Sequence, residues 1–298
     1  MARRTVTPLH LSEDDKRISE LEERTGLLLT DVMTLVAEGT NFRSPLSALL
    51  EMLFGEMQVA LFPNAVHFYG TAGVQTWTKP ASAKYYGSFA AVIGPGGPGG
   101  GITAAAAPDT WAIGASGGGG GGLAFGYYAT EDLGPTEAVT IGAFTSGAVD
   151  GTAPGSQGTS SSFTTNAATL TASGGNPGSS VVAQSTAVVH PGGAGGVGEG
   201  SPLGDWAEMR GAAGGFAITN AAVTDVVSGF GGGAPFFAGS SGGIAPLADT
   251  ATAGTDGFSP GQGGAGAAGR GALDGAVAKG GDGRQGFGLV VDLYSATR

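Results

Sequence analysis

Ala91-Val92-Ile93-Gly94-Pro95-Gly96-Gly97-Pro98-Gly99-Gly100-Gly101 is the stretch on which the fold turns. A hydrophobic segment with strand character runs without a linker into residues that are all glycine or proline. Glycine loses more conformational entropy on folding than any other residue and brings no side chain to bury. Such a run is either a flexible tether or a segment ordered by packing of backbone on backbone. Further glycine-rich runs follow at 117–122, 192–200, 211–215, 229–233, 239–243, 261–271 and 280–288.

Composition favours order. Of 60 glycines in 298 residues, only Gly26, Gly39 and Gly55 precede residue 61, so a short ordinary head is joined to a long glycine-rich body. Charged residues make up 12% and hydrophobic ones 41%, whereas disordered chains show the reverse balance. No strict Gly-X-Y period is present, which excludes collagen. Interleaved Phe, Trp and Val argue further for a compact body with small side chains.

The net charge is −11 with no basic cluster, which argues against nucleic acid and anionic lipid as partners. With no cysteine, disulfides and thiolate metal sites are excluded. Met1-Ala2-Arg3-Arg4 is not followed by an apolar segment, so no secretion signal is expected. No apolar run is long enough for a membrane span.

The head, residues 1–62, reads as helical. Ser12 and Asp15 have the spacing of a helix start. Ile18, Thr25 and Val32 recur every seven residues, as do Leu21, Leu28 and Leu35, offset by three. This a/d pattern predicts a short coiled coil that oligomerises the chain. An amphipathic helix packed within its own domain would give the same stripe. Gly39 ends this helix. Ser44-Pro45 opens a second, with Leu46, Leu49, Leu50, Leu53, Phe54 and Met57 on a wide apolar face, and Pro63 stops it.

The body, residues 63–298, reads as short strands between glycine runs. Val66–Tyr69, Gln75–Thr78, Lys84–Gly94, Ala138–Phe144, Ser161–Thr165, Val181–Val189, Phe216–Thr219 and Leu289–Tyr294 carry the β-like composition.

The order of these pieces resembles the glycine-rich domain of bacteriophage tail fibres, adhesins and minor tail proteins. The matching elements are Gln75-Thr76-Trp77-Thr78-Lys79-Pro80, with Gln where the family has Gly, then Val92-Ile93-Gly94-Pro95-Gly96-Gly97. After these come Gly117–Gly122 with Tyr127-Tyr128, then Val139-Thr140-Ile141-Gly142 and Gly158-Thr159-Ser160-Ser161-Ser162-Phe163. Gly286-Phe287-Gly288-Leu289-Val290-Val291-Asp292-Leu293-Tyr294 closes the set. The match spans roughly residues 66–294. It implies packed polyglycine II helices with short β-strands and few regular elements. It also implies a virion protein made in the host cytoplasm: a minor tail, tail-tip or tail-fibre component, homotrimeric. Residues 1–62 would attach to other tail proteins, and the body would face a host cell-surface glycan or protein.

Catalytic and cofactor chemistry is thin. His10, His67 and His190 lack metal-ligand spacing. Ser116 among glycines has no strand–turn–helix context for a nucleophile elbow, and Gly94–Gly99 is followed by no Lys-Ser/Thr, so it is not a phosphate loop. Gly254-Thr255-Asp256-Gly257 and Gly280-Gly281-Asp282-Gly283 lack the repetition of calcium-binding nonapeptides. No enzyme, cofactor or metal is expected. Tyr127, Tyr128, Trp206, Phe236 and Phe237, in the longer insertions, are the expected receptor contacts, because aromatic rings give large contact area at small entropic cost. A different class of reading is a bacterial cell-surface structural protein. Gly192–Gly196 and Gly263–Gly266 resemble mycobacterial Gly/Ala repeats, although regular repeats and an export domain are not evident.

Overall fold

In a computed structural model the described residues are 65–103, 112–182, 188–200, 206–219, 226–237, 242–243, 250–270 and 275–294. The chain divides between Pro63 and Asn64, and every described residue belongs to the second unit. The heptad positions Ile18, Leu21, Thr25, Leu28, Val32 and Leu35, and the second expected helix, lie outside the described residues.

The chain alternates between strands and glycine runs. Strands β1 (Val66–Tyr69), β2 (Gly73–Thr78) and β3 (Tyr85–Ile93) come first, and the quoted run carries the chain to β4 (Ile102–Thr103). It returns through β5 (Ala112–Gly114), the run 115–122 and β6 (Leu123–Ala129). A single 3-10 turn at Thr130–Asp132 leads to β7 (Thr136–Ile141), β8 (Ser161–Thr164) and β9 (Thr169–Ala172). The remaining excursions carry β10 (Val181–Val182), β11 (Val188–His190), β12 (Gly198–Glu199), β13 (Trp206–Met209), β14 (Ala217–Thr219), β15 (Thr250–Thr252), β16 (Ala268–Arg270) and β17 (Val277–Ala278). Strand β18 (Phe287–Tyr294) closes the body.

Ten strands form a sandwich. One antiparallel sheet has the order β1-β18-β3-β6-β13 and the other β12-β9-β8-β7-β2. Alternation along each strand turns one set of side chains inward. Ala90 and Val92 of β3, Ala124 and Tyr128 of β6, and Val290 of β18 meet Trp77, Val139, Ile141, Phe163 and Leu170 of the opposite sheet. Phe163 is the hub. Its ring stands edge-on to Trp77 at 6.2 Å and to Tyr128 at 5.3 Å.

Glycine runs rise from the sandwich and satisfy the backbone differently. The run 115–122 is central. Its amides at Ala115, Gly118 and Gly121 donate to the carbonyls of Ala267, Gly264 and Gly261. Those of Ser116, Gly119 and Gly122 donate to Ser179, Asn176 and Ser173, and those of Gly117 and Gly120 to Gly215 and Ala212. Three successive amides thus serve three different neighbours, and the fourth returns to the first. The carbonyls of the same run accept from residues 94–100, 193–196 and 229–232. Six neighbouring segments surround one that is buried throughout, so its orphan groups are paired although no sheet is formed. Glycine is a steric requirement here. A Cβ on Gly117 would come within 1.8 Å of the Phe230 carbonyl oxygen, and one on Gly120 within 2.1 Å of that of Gly233.

At the far end of the runs the chain gathers into short sheets, β10-β4-β17, β15-β16-β5 and β11-β14. A second small core of Ile102, Ile113, Val181 and Ala267 closes it.

The fold class expected from the sequence is overturned. No α-helix occurs among the described residues, and the body is a β-rich assembly of several mainly antiparallel sheets rather than one with few regular elements. The reason is local. Short segments such as Ile102–Thr103 and Ala268–Arg270 lack strand-like length and alternation, and become strands because the runs deliver them side by side. Val181–Val189, read as one segment, holds two separate strands in two different sheets.

Candidate recognition surface

The expected receptor aromatics sit at the sandwich end, and the structure divides them. Tyr128 points into the core against Phe163 and is 5% exposed, so its ring is a packing element unavailable to a ligand. Tyr127, its neighbour on β6, alternates to the outer face and is 37% exposed. Trp206 begins β13, opposite Gly126 of β6. Phe237 is partly buried, at 6.1 Å from Phe287. Phe236 projects beside it, 73% exposed, with φ at 63°. A left-handed backbone at a non-glycine residue is strained, and no core packing of the Phe236 ring compensates it.

Tyr127 and Phe237 are thus gathered on one face of one sheet. The same face carries Phe68 against Phe287 at 6.1 Å and Phe89 against Phe125 at 5.7 Å. Sequence reading missed these four phenylalanines because each falls inside a strand. Their outward direction becomes visible only once the inward partners Ala90, Val92, Ala124 and Val290 are known.

The far end has a different chemistry. Val182, Val189, Ile218, Val227 and Val277 are all exposed there, Val189 at 61%. Val189 and Ile218 stand directly opposite each other across β11 and β14. No aromatic signal marks these residues in the sequence. They read as ordinary β-branched strand formers.

Polar groups are few. Asp292 lies buried in the sandwich. Its Oδ1 accepts from the Ser88 hydroxyl at 2.7 Å and its Oδ2 meets His67 Nε2 at 2.8 Å, while Tyr85 and Ser88 share a 2.7 Å hydroxyl bond. The three residue types are those of a hydrolytic triad, but the order is His–Asp–Ser. Ser88 donates to the carboxylate, and the imidazole meets the other oxygen of that carboxylate rather than Ser88. This chain links β1, β3 and β18. His190 meets Thr219 at 3.1 Å, and burial pulls its pKa below the ordinary histidine value. Among the described residues no cluster of His, Asp or Glu has the arrangement of a metal site.

No protein-family model matches this chain, and no curated protein matches it.

Proposed function

We propose that the protein is a bacteriophage virion component, a minor tail, tail-tip or tail-fibre protein, that recognises the host cell surface and has no enzymatic activity. One observation carries this reading. A lattice of runs built mostly of glycine, proline, alanine and serine holds the strand ends of the far sheets in fixed positions and presents exposed branched apolar side chains around them. Rigid scaffolds with terminal loops are a common basis for recognition. The sandwich end is where the chain enters the body, at Ala65. The far end meets the target, and residues 1–62 attach to other tail proteins.

The assembled protein is a homotrimer in the virion. Its several weak contacts with a glycan or protein of the cell surface add into high avidity. The charge-introducing pair Val189→Asp and Ile218→Asp should leave particles assembled and abolish adsorption to host cells. Unchanged adsorption by such particles would overturn the far end as the recognition surface. Absence of the protein from purified particles, tested with an antibody, would overturn the virion role.

A further inference from the structure

Tyr86 and Tyr127 form an open pair on the outer face of the sandwich. Their ring centroids are 6.5 Å apart and their planes inclined by 43°. Both rings are substantially exposed. The Tyr127 hydroxyl donates to the Tyr86 carbonyl at 3.2 Å. Its ring lies over Gly87, where a Cβ would approach the Tyr127 hydroxyl to 2.5 Å. Bare backbone thus forms the seat of the ring.

Two carboxylates adjoin this pair. Strand β6 ends at Ala129 and passes directly into the 3-10 turn that carries Glu131 and Asp132. Lys79 clamps that turn from the side, its Nζ donating to the carbonyls of Leu133 at 2.7 Å and Thr130 at 3.3 Å. Its ammonium therefore faces main-chain oxygen. Among the described residues the ion pairs are His67–Asp292 and Lys279–Asp282, and neither involves Glu131 or Asp132. Burial, and then Tyr86, Glu131 and Asp132, hold the Tyr127 hydroxyl above the usual tyrosine pKa.

We propose that Tyr86, Tyr127, Glu131 and Asp132 bind a small organic cation, a methylated or primary ammonium group. A cation within about 6 Å of an aromatic centroid is attracted by the negative face of the ring. Two exposed rings inclined to each other by 43° present two such faces, and the carboxylates supply the counter-charge. A neutral sugar fits less well. The rings are too inclined to form one flat platform. The Tyr127 proton is already donated to a carbonyl, and carboxylates offer acceptors without donors. The site is independent of the virion role.

The test is titration of the full chain with choline, followed by NMR shifts of the tyrosine ring signals. The control ligand is 3,3-dimethylbutan-1-ol, which has the same shape and no charge. Choline should bind saturably and the neutral alcohol should not. Glu131→Gln with Asp132→Asn should raise the Kd about fivefold, the upper scale of an exposed ion pair. Tyr127→Leu should abolish binding at unchanged melting temperature. Equal binding of the neutral alcohol, no binding of choline, or choline binding that survives Tyr127→Leu would each overturn the proposal. If Tyr127→Leu lowers the melting temperature, the carboxylate variant decides instead, an unchanged Kd counting against the site.

Discussion

The sandwich and the glycine lattice solve one problem in opposite ways. In the sandwich, strands bond edge to edge and leave two faces to be filled by side chains. Trp77, Phe163 and Leu170 do that filling. In the lattice, each run bonds to neighbours all around it, and the space a side chain would occupy is taken by the next backbone. A Cβ is the unit of stability in one region and, at the glycine positions, a defect in the other. Hydrogen bonding replaces apolar burial as the organising interaction where the chain has no side chains to bury. The dense pairing of amides and carbonyls offsets the large entropy of ordering glycine.

The contrast predicts a reversal of ordinary substitution rules. The largest effect should come from Gly120→Ala, normally a mild change. Its methyl collides with the Gly233 carbonyl inside a ring of backbone that has nowhere to move. The expected loss exceeds about 4 kcal/mol, or no folded protein is recovered. Chemical denaturation would show it, and a variant of wild-type stability would refute backbone-on-backbone packing. Phe163→Ala should follow, at about 3–5 kcal/mol, as a cavity in an aromatic core.

A smaller effect separates the two regions by pH. Burial, with a further contribution from Asp292, pushes Tyr69 up to about 12, and burial alone does the same for Tyr128. Tyr85 is raised as well, chiefly by burial. The unfolded chain ionises its tyrosines near pH 10, and the folded sandwich holds them neutral. That stability is intact below pH 10 and is lost as pH rises toward 12. Protection factors from hydrogen exchange measured from pH 9 to 11, corrected for the intrinsic pH dependence of exchange, should fall in the sandwich strands before they do in run 115–122, which holds no titratable side chain. His190 has the opposite sign. Its depressed pKa contributes stability above about pH 6.5, lost as pH falls. Protection factors at β11 and β14, corrected for the intrinsic pH dependence of exchange, should therefore fall in acid while the sandwich stays protected.

Phe236→Gly should raise stability by about 1 kcal/mol, since glycine adopts the left-handed conformation without strain. The smallest effect should be Gly70→Ala. No atom lies within 4 Å of the added methyl, and the melting temperature should stay unchanged.

The same contrast explains what could be read in advance. Strands β1, β3 and β18 were legible because their apolar residues and aromatic neighbours form continuous segments ended by glycine. Glycine runs were legible as ordered because charge is scarce and apolar residues interrupt them. The short strands β4, β5, β15, β16 and β17 carried no signal. Two or three residues such as Ile102–Thr103 have no periodicity to detect, and partners far away in sequence make them strands. Among the site residues, Tyr127 and Phe236 announced themselves as aromatics in segments between glycine runs. Their separation from buried Tyr128 depends on strand parity, which a Tyr-Tyr pair in sequence does not reveal. Glu131 and Asp132 look like any solvated acids until the turn following β6 brings them beside Tyr127.

The repeat of three in the lattice has a consequence for how such a gene can change. Tracts of glycine codons gain and lose units by slippage during copying. Adding one or two codons to the tract for residues 115–122 rotates every following amide toward the wrong neighbour. Adding three restores each amide to its partner and shifts the rest of the run by one repeat, about 9 Å at roughly 3.1 Å per residue. Viable length variation in these tracts is therefore quantised in steps of nine nucleotides, and the reading frame that selection sees here is three codons wide.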